Sequence, residues 1–437
     1  MTVKILVLDD DPTGSQTVHS CLLLTKWDVP TLQIGLRDNS PILFILTNTR
    51  AIAPQEAKEI TTEVCKNLKI ALQLEGITDF LLVSRSDSTL RGHYPIETDA
   101  IAATLGAFDA HFLIPAFFEG GRFTRDSIHY LVVDGVPTPT HLTEFAKDSV
   151  FGYSTSYLPD YVAEKTQGKI TAAQVVKFSL DQVRSGSLEK LLELRDNQCC
   201  VVDSEKQADL NRFAQDLLAA ANQGKRFLFR SAASLLTSLA QLPPQPISAE
   251  SMSSYRRSLA PGVVIVGSHV RKTTEQLTQL LQEETVAPVE IEIIRLLQPN
   301  GREILLTEAL NQTQQIFNRH QTAVIFTSRT ELSFPDSATR LEFGQAVSSL
   351  LMAIVQGLPT EISFLISKGG ITSNDVLSTG LSLSTARLLG QILAGCSVVI
   401  TPKDHLLFPS LPVVLFPGNV GDQNALAMVY RRLSGSI

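Results

Sequence analysis

Four stretches of the chain set carboxylates, guanidiniums and small hydroxyls directly after short apolar runs. Asp9-Asp10-Asp11-Pro-Thr-Gly follows KILVL, and Thr47-Asn48-Thr49-Arg50 follows ILFIL. Ser84-Arg85-Ser86-Asp87-Ser88-Thr89-Leu90-Arg91-Gly92 follows FLLV, and the segment Pro115 to Arg122, with Glu119 inside it, follows HFLI. Guanidinium forks match planar oxyanions, so Arg50, Arg85, Arg91 and Arg122 suit a carboxylate or phosphate. Asp10, Asp11 and Asp87, with the hydroxyls of Ser86 and Ser88, suit a polyol, and one of these carboxylates can act as a general base. A small hydroxylated acid satisfies both sets. A plainer alternative makes the Asp, Ser and Thr residues caps and the arginines their surface partners. One character shared by four segments favours a site. The eight histidines form no HExxH or paired ligand spacing, although His93 follows Arg91-Gly92 closely enough to reach the same place.

A second set consists of glycine turns. Gly267-Ser268 follows GVVIV, Gly369-Gly370-Ile371-Thr372-Ser373 follows ISFLISK, and Gly418-Asn419-Val420-Gly421-Asp422 follows VVLFP. Glycines let a backbone approach phosphate closely, and free N–H groups favour anionic oxygen. Neither GxxxxGK[ST] nor GxGxxG is present. The two sets together predict phosphoryl transfer from a nucleotide to a hydroxy acid. That chemistry needs positioning, a divalent metal to neutralise charge, and a carboxylate to receive the hydroxyl proton.

The elements that must hold these residues read as α/β. In an open α/β sheet, ligands bind beyond the carboxyl ends of the strands. KILVLD, ILFILTNT, FLLVSRS and HFLIPAF read as buried strands. PQEAKEITTEVCKNLKIALQLEG reads as a helix opening at Pro54 and closing at Gly76. RFTRDSIHYLVVDGVPTP reads as a hairpin or arm beside the sheet, and QCCVVDS, ADLNRFAQDLLAAANQG and RFLFRSAA continue the alternation. A Pro- and Ser-rich stretch without apolar period predicts a linker across 241–262. It separates a substrate domain over 1–245 from a nucleotide domain over 258–437. Each is expected to be a mostly parallel sheet flanked by helices, with the active site in a cleft between them. In the second domain GVVIVGS, VEIEII, TAVIFTS, ISFLISKGG and CSVVIT read as strands. TTEQLTQLLQEE, LTEALNQTQQIFNRHQ, TRLEFGQAVSSLLMAIVQG and STARLLGQILAG read as helices.

Composition bounds the partners. The 437 residues exceed one ordinary core, and 44% hydrophobic with 19% charged residues is a globular composition. A net charge of −7 argues against a nucleic-acid surface. Five cysteines without a CxxC pair fit a reducing interior, and no apolar run reaches the length of a membrane span, so a cytoplasmic protein without a membrane partner is expected. A homodimer is the base-rate expectation.

The ordered set DDxTG, Asn-Thr-Arg, [KR]xDSTLRG, PAFxxxGR, GS, GGxTS and GNxG resembles the four-carbon acid sugar kinase family, which includes kinases of 3-oxotetronate, D-threonate and D-erythronate. The resemblance runs from Asp10 to Gly421, and SRSDSTLRGHYPIE is its most specific piece. It implies an N-terminal domain for the acid sugar, a C-terminal domain for ATP, and Mg2+ as the accompanying ion. The family's substrate aspartate falls on Asp10 or Asp11, its substrate arginine on Arg50, and its KxDS segment on Arg85, Ser86, Asp87 and Ser88. Its nucleotide residues fall on Ser268, on Gly369 through Ser373, and on Gly418 with Asn419 and Gly421 in the same turn. The chain departs from the pattern with Arg85 for Lys, Ile371 for an acid, HVRKT for SxxT after the GS turn, and Pro417 for Ser. The resulting expectation is a kinase of a four-carbon sugar acid. Its alternatives are a kinase of another hydroxy or oxo acid and a non-catalytic nucleotide- or metabolite-binding regulator or effector.

Overall fold

The computed structural model describes residues 3–329, 332, 334 and 337–435, and the chain divides into two compact units between Pro243 and Pro244. The N-terminal unit contains β1 (Lys4–Asp9), β2 (Leu22–Leu24), β3 (Ile42–Leu46), β4 (Phe80–Arg85) and β5 (Ala110–Ile114). An antiparallel arm follows: β6 (Arg122–Arg125), β7 (Ile128–Val133) and β8 (Val136–Pro139). Then come β9 (Val176–Phe178), β10 (Gln198–Val202) and β11 (Phe227–Ser231). The main strands run in the order β2-β3-β1-β4-β11-β5-β10-β9, all parallel. Parallel strands need helical crossovers that cover both faces, which is why their sequences are continuous apolar runs. The helix Pro54–Glu75 is one such cover. Pro54 stands in its first turn, Gly76 ends it at φ +66°, and Val64, Cys65, Leu68 and Leu72 pack on Leu43, Ile45 and Leu82.

The C-terminal unit contains β12 (Val263–Val266), β13 (Val286–Ile291), β14 (Thr322–Thr327), β15 (Leu365–Lys368), β16 (Thr385–Leu393), β17 (Cys396–Ile400) and β18 (Pro412–Phe416). Their order is β13-β14-β12-β15-β18-β17-β16, with the first five parallel, β17 antiparallel to β18, and β16 antiparallel to β17. Within the Pro- and Ser-rich stretch, residues 249–255 form a 3-10 helix whose Met252 is wholly buried in this unit's core.

One expected helix is a strand. STARLLGQILAG forms β16, hairpinned to β17 through Gly395 at φ +79°. Leu388, Leu389 and Ile392 fit a helical stripe and a half-buried strand equally well. The local geometry decides it: Gly390 sits at φ +135° beside a register shift, and a Cβ there would lie 2.2 Å from the Gln245 side chain. The strand expected at VEIEII lies slightly earlier, at Val286–Ile291. The expected arm is a three-stranded sheet of its own.

Candidate functional site

Because β3, β1, β4 and β11 are neighbours, residues distant in the chain meet at their carboxyl ends. Asp10 is the common partner. Arg50 forks onto it, with Nε 3.1 Å from Oδ2 and Nη2 bonded to Oδ1. Ser86 Oγ donates to Oδ2 at 2.7 Å, and Arg85 Nη1 stands 3.5 Å from Oδ1 and 3.4 Å from Asp9. The free side of Arg50 faces two further carboxylates, with Nη1 3.4 Å from Asp11 and 3.7 Å from Asp87. Arg91 Nε closes the set, 3.0 Å from Asp87 Oδ2. Exposure separates the roles these groups can take. Asp10 has 2% of its side chain exposed and both oxygens engaged, whereas Asp11 (22%), Asp87 (14%), Arg50 (19%) and Arg91 (27%) reach solvent and can touch a ligand.

The site's electrostatics follow from burial and from its guanidiniums. Burial pushes the Asp9 carboxyl up to about 8, and it pushes Glu97 up to about 7 with help from the nearby Asp10 charge. Burial also opposes ionisation of Asp11 and Asp87. For Asp11, the Arg50 and Arg85 charges and Thr13's hydrogen bonds outweigh it and lower the carboxyl. For Asp87, Arg50, Arg91 and Thr89 do the same and hold it well below the usual carboxylate range. Arg91 also pairs with Asp148, Nη1 to Oδ2 at 3.6 Å, so the carboxylates of Asp10, Asp11, Asp87 and Asp148 stand against the guanidiniums of Arg50, Arg85, Arg91 and the nearby Arg230.

Asp9 is wholly buried, and a Cβ at Gly14 would lie 2.0 Å from its Oδ1, so only glycine fits there. Its raised pKa means that the folded chain keeps a proton that the unfolded chain has lost above about pH 4. Asp9's own contribution to stability is therefore highest below that pH and falls as pH rises toward about 8. Asp9→Asn removes this contribution. The variant's melting temperature is expected to gain on the parent's progressively from pH 5 to pH 8 in a thermal-denaturation series, by an amount worth a few kcal/mol at most.

The structure places the remaining expected residues individually. Ser88 is buried, and its carbonyl accepts from His129. His93 is also buried and donates from Nε2 to Thr49 O and Ile52 O, so it braces the turn after β3. Arg122 spends Nη1 on Gly120 O, at 2.5 Å, and stacks over Phe117. Sequence reasoning missed Arg230 and Glu97 here. Arg230 at the end of β11 bonds Asp87 O, Ser86 Oγ and Arg91 O, and Glu97 accepts from Thr49 Oγ1 at 2.5 Å. An arginine inside the apolar run RFLFRS was the available signal, since a buried guanidinium needs partners.

In the C-terminal unit, the ends of the adjacent parallel strands β12, β15 and β18 bring the three glycine turns together. Gly267 N donates to Lys368 O at 3.3 Å, and Gly369 N to Phe416 O at 2.8 Å. Thr273 Oγ1 donates to Ser268 Oγ at 3.1 Å and lies 3.3 Å from Gly418 O. A Cβ at Gly267 would lie 2.3 Å from Thr372 Oγ1. Lys368 is wholly buried and donates to Pro417 O at 2.6 Å and Gly418 O at 3.2 Å. Gly370 opens the short helix Gly370–Asp375, in which Ser373 turns inward onto Ser367. Asn419 and Gly421 are exposed. Beside the turns lies a cavity of about 420 Å3, walled by Gly267, Ile371 and Thr372 on one side and by Phe343, Val347 and Leu351 on the other. Among the described residues, no three His, Cys, Asp or Glu side chains are grouped to hold a metal, and no helix is long and apolar enough to cross a membrane.

Comparison with known proteins matches both units. Residues 5–239 match the family model of a sugar-binding N-terminal domain, and residues 263–426 that of a nucleotide-binding C-terminal domain. A D-erythronate kinase of Heliobacterium modesticaldum is 27% identical over 222 residues, 48% of this chain and 47% of that protein. This chain belongs to the four-carbon acid sugar kinase family. The match spans about half the length of that curated family relative. The α/β fold of this family member recurs in solved structures. A Salmonella typhimurium LT2 protein bearing a tRNA synthase label superposes with a TM-score of 0.69 at 18% identity, over 99% of this chain and 98% of that one. A Haemophilus influenzae protein of the DUF1537 family gives 0.64 at 16% identity, over 98% and 100%.

Proposed function

We propose that this family member is an ATP-dependent kinase that phosphorylates a hydroxyl of a four-carbon sugar acid such as a tetronate or 3-oxotetronate. The observation that carries the proposal is the rim at the ends of β3, β1 and β4, where partly exposed guanidiniums (Arg50, Arg91) and carboxylates (Asp11, Asp87) stand together within reach of one small ligand. Arg50 and Arg91 would hold the substrate carboxylate. Asp11 and Asp87, kept ionised by those arginines, would accept its hydroxyls and orient the one that attacks. Asp10 and Arg85 would hold Arg50 and Ser86 in place. In phosphoryl transfer a carboxylate mainly positions the nucleophile and takes its proton late, so a low pKa is compatible with the role.

The nucleotide's phosphates would lie against the turns at Ser268, Gly369–Gly370 and Gly418, with its apolar part toward the neighbouring cavity. Mg2+ keeps most of its ligands from water and phosphate and needs few from protein, so it would enter as the nucleotide's counter-ion. The experiment is release of ADP from Mg-ATP in the presence of a panel of four-carbon sugar acids. Stabilisation by ATP without turnover of any acid would favour the non-catalytic binding protein instead.

A further inference from the structure

The carbonyl oxygens of five successive residues, Asp87 through Arg91, each accept a hydrogen bond from a buried side chain elsewhere in the sequence. Arg230 reaches Asp87 O with Nη1 at 3.0 Å and Arg91 O with Nη2 at 2.7 Å. His129 Nε2 reaches Ser88 O at 2.7 Å, Tyr153 OH donates to Thr89 O at 2.8 Å, and Tyr161 OH donates to Leu90 O at 2.7 Å. Thr124 Oγ1 lies 3.0 Å from His129 Nδ1 and can donate to it, which leaves the ring proton on Nε2 for Ser88. None of the four donors is more than 7% exposed. They come from β11, from β7 of the arm, and from the segment and helix spanning residues 153–165.

Such complete use of one loop's acceptors demands a reason beyond satisfying buried groups, because loops usually lie at the surface with water as their partner. The loop is also unusual in its backbone. Leu90 holds φ +68° and Gly92 φ +121°, and a bulky residue in the left-handed region persists only where its surroundings over-determine it. The same loop carries Asp87 and Arg91, which stay partly exposed while its carbonyls are taken up inside.

We propose that Arg230, His129, Tyr153 and Tyr161 form a carbonyl clamp that fixes the Asp87–Arg91 loop before the acid arrives, making them positioning residues for acid binding that do not themselves touch the acid. This rests on the reading of the strand-end rim as the acid site. A loop already held in its binding geometry loses no further freedom on binding, so the clamp acts on affinity. It also gives the β6–β8 arm a task, since the arm delivers His129.

The test uses Tyr153→Phe and Tyr161→Phe, singly and combined, in the full chain. Each removes one oxygen and keeps the packed ring. Hydrogen exchange read by mass spectrometry is expected to quicken about tenfold over residues 86–92 in the double variant, with peptides of the C-terminal unit unchanged. The acid's KM is expected to rise about tenfold while the nucleotide's KM stays within twofold. Unchanged exchange in the loop would overturn the clamp. So would a fall in kcat with folded fraction while both KM values hold, the signature of a merely structural role. If the double variant does not fold, the single variants carry the same test at smaller fold-changes. A parent protein that turns over no acid would sink the kinase reading alone, and loop exchange would then decide the clamp by itself.

Discussion

Replacing Arg50 by alanine is expected to raise the acid concentration needed for half-maximal rate about a hundredfold, with nucleotide affinity kept within twofold. Arg50 is the group on which the acidic set converges: it forks onto Asp10 and faces Asp11 and Asp87 with its remaining nitrogen. Without it, Asp10, Asp11 and Asp87 lose the guanidinium they share, and the rim loses a positive charge that would draw an anion. Each charge-assisted hydrogen bond lost is worth about 1.5–3 kcal/mol, and tenfold in affinity is about 1.4 kcal/mol. Arg50→Lys keeps the charge but not the fork and should recover part of the loss. Steady-state kinetics with each substrate varied in turn reads the result. An equal loss for acid and nucleotide would undo the assignment of the acid to the N-terminal unit.

The counterpart on the nucleotide side is Lys368→Met. The ammonium of Lys368 joins two glycine turns by donating to Pro417 O and Gly418 O, and it sits 4.0 Å from the centre of the Phe416 ring. Methionine keeps the packing but leaves two carbonyls without their donor, so the third turn loosens. The nucleotide's KM is expected to rise tenfold or more, with the acid's KM unchanged within twofold. Burial, and then repulsion from Lys272, bring the Lys368 amine down to about 7, with Cys396 the facing group that opposes this. The parent therefore sheds this charge between pH 6 and pH 8, and its nucleotide affinity should decline over that range. The variant, having no charge to lose, should show a flatter profile. Parallel declines would contradict a role for the Lys368 charge.

The sequence displayed the strand-end rim because aspartates and arginines directly after apolar runs cannot be explained by burial. It displayed Pro54 and Gly76 as helix ends for a similarly local reason. What it concealed was sheet order. β11 enters between β4 and β5, and nothing local to RFLFRS says that Arg230 will stand beside Asp87. His129, Tyr153 and Tyr161 were invisible as partners of the loop for the same reason, since each is brought there by a long-range contact. Nor could spacing reveal that Asp10 is enclosed while Asp11 and Asp87 are open, a distinction set by which side Arg50 forks onto. The error at β16 was of another kind: its apolar residues suit two periods, and only Gly390 with its tight approach to Gln245 resolves them.

The most direct measurement is turnover of Mg-ATP by the purified chain across a panel of four-carbon sugar acids, with ADP followed by a coupled assay and the product examined by phosphorus NMR. A sugar-acid kinase should release ADP with at least one acid and give a phosphate ester on a carbon-bound hydroxyl of that acid. ADP release that ignores every acid, or no release despite tight ATP binding, would contradict it.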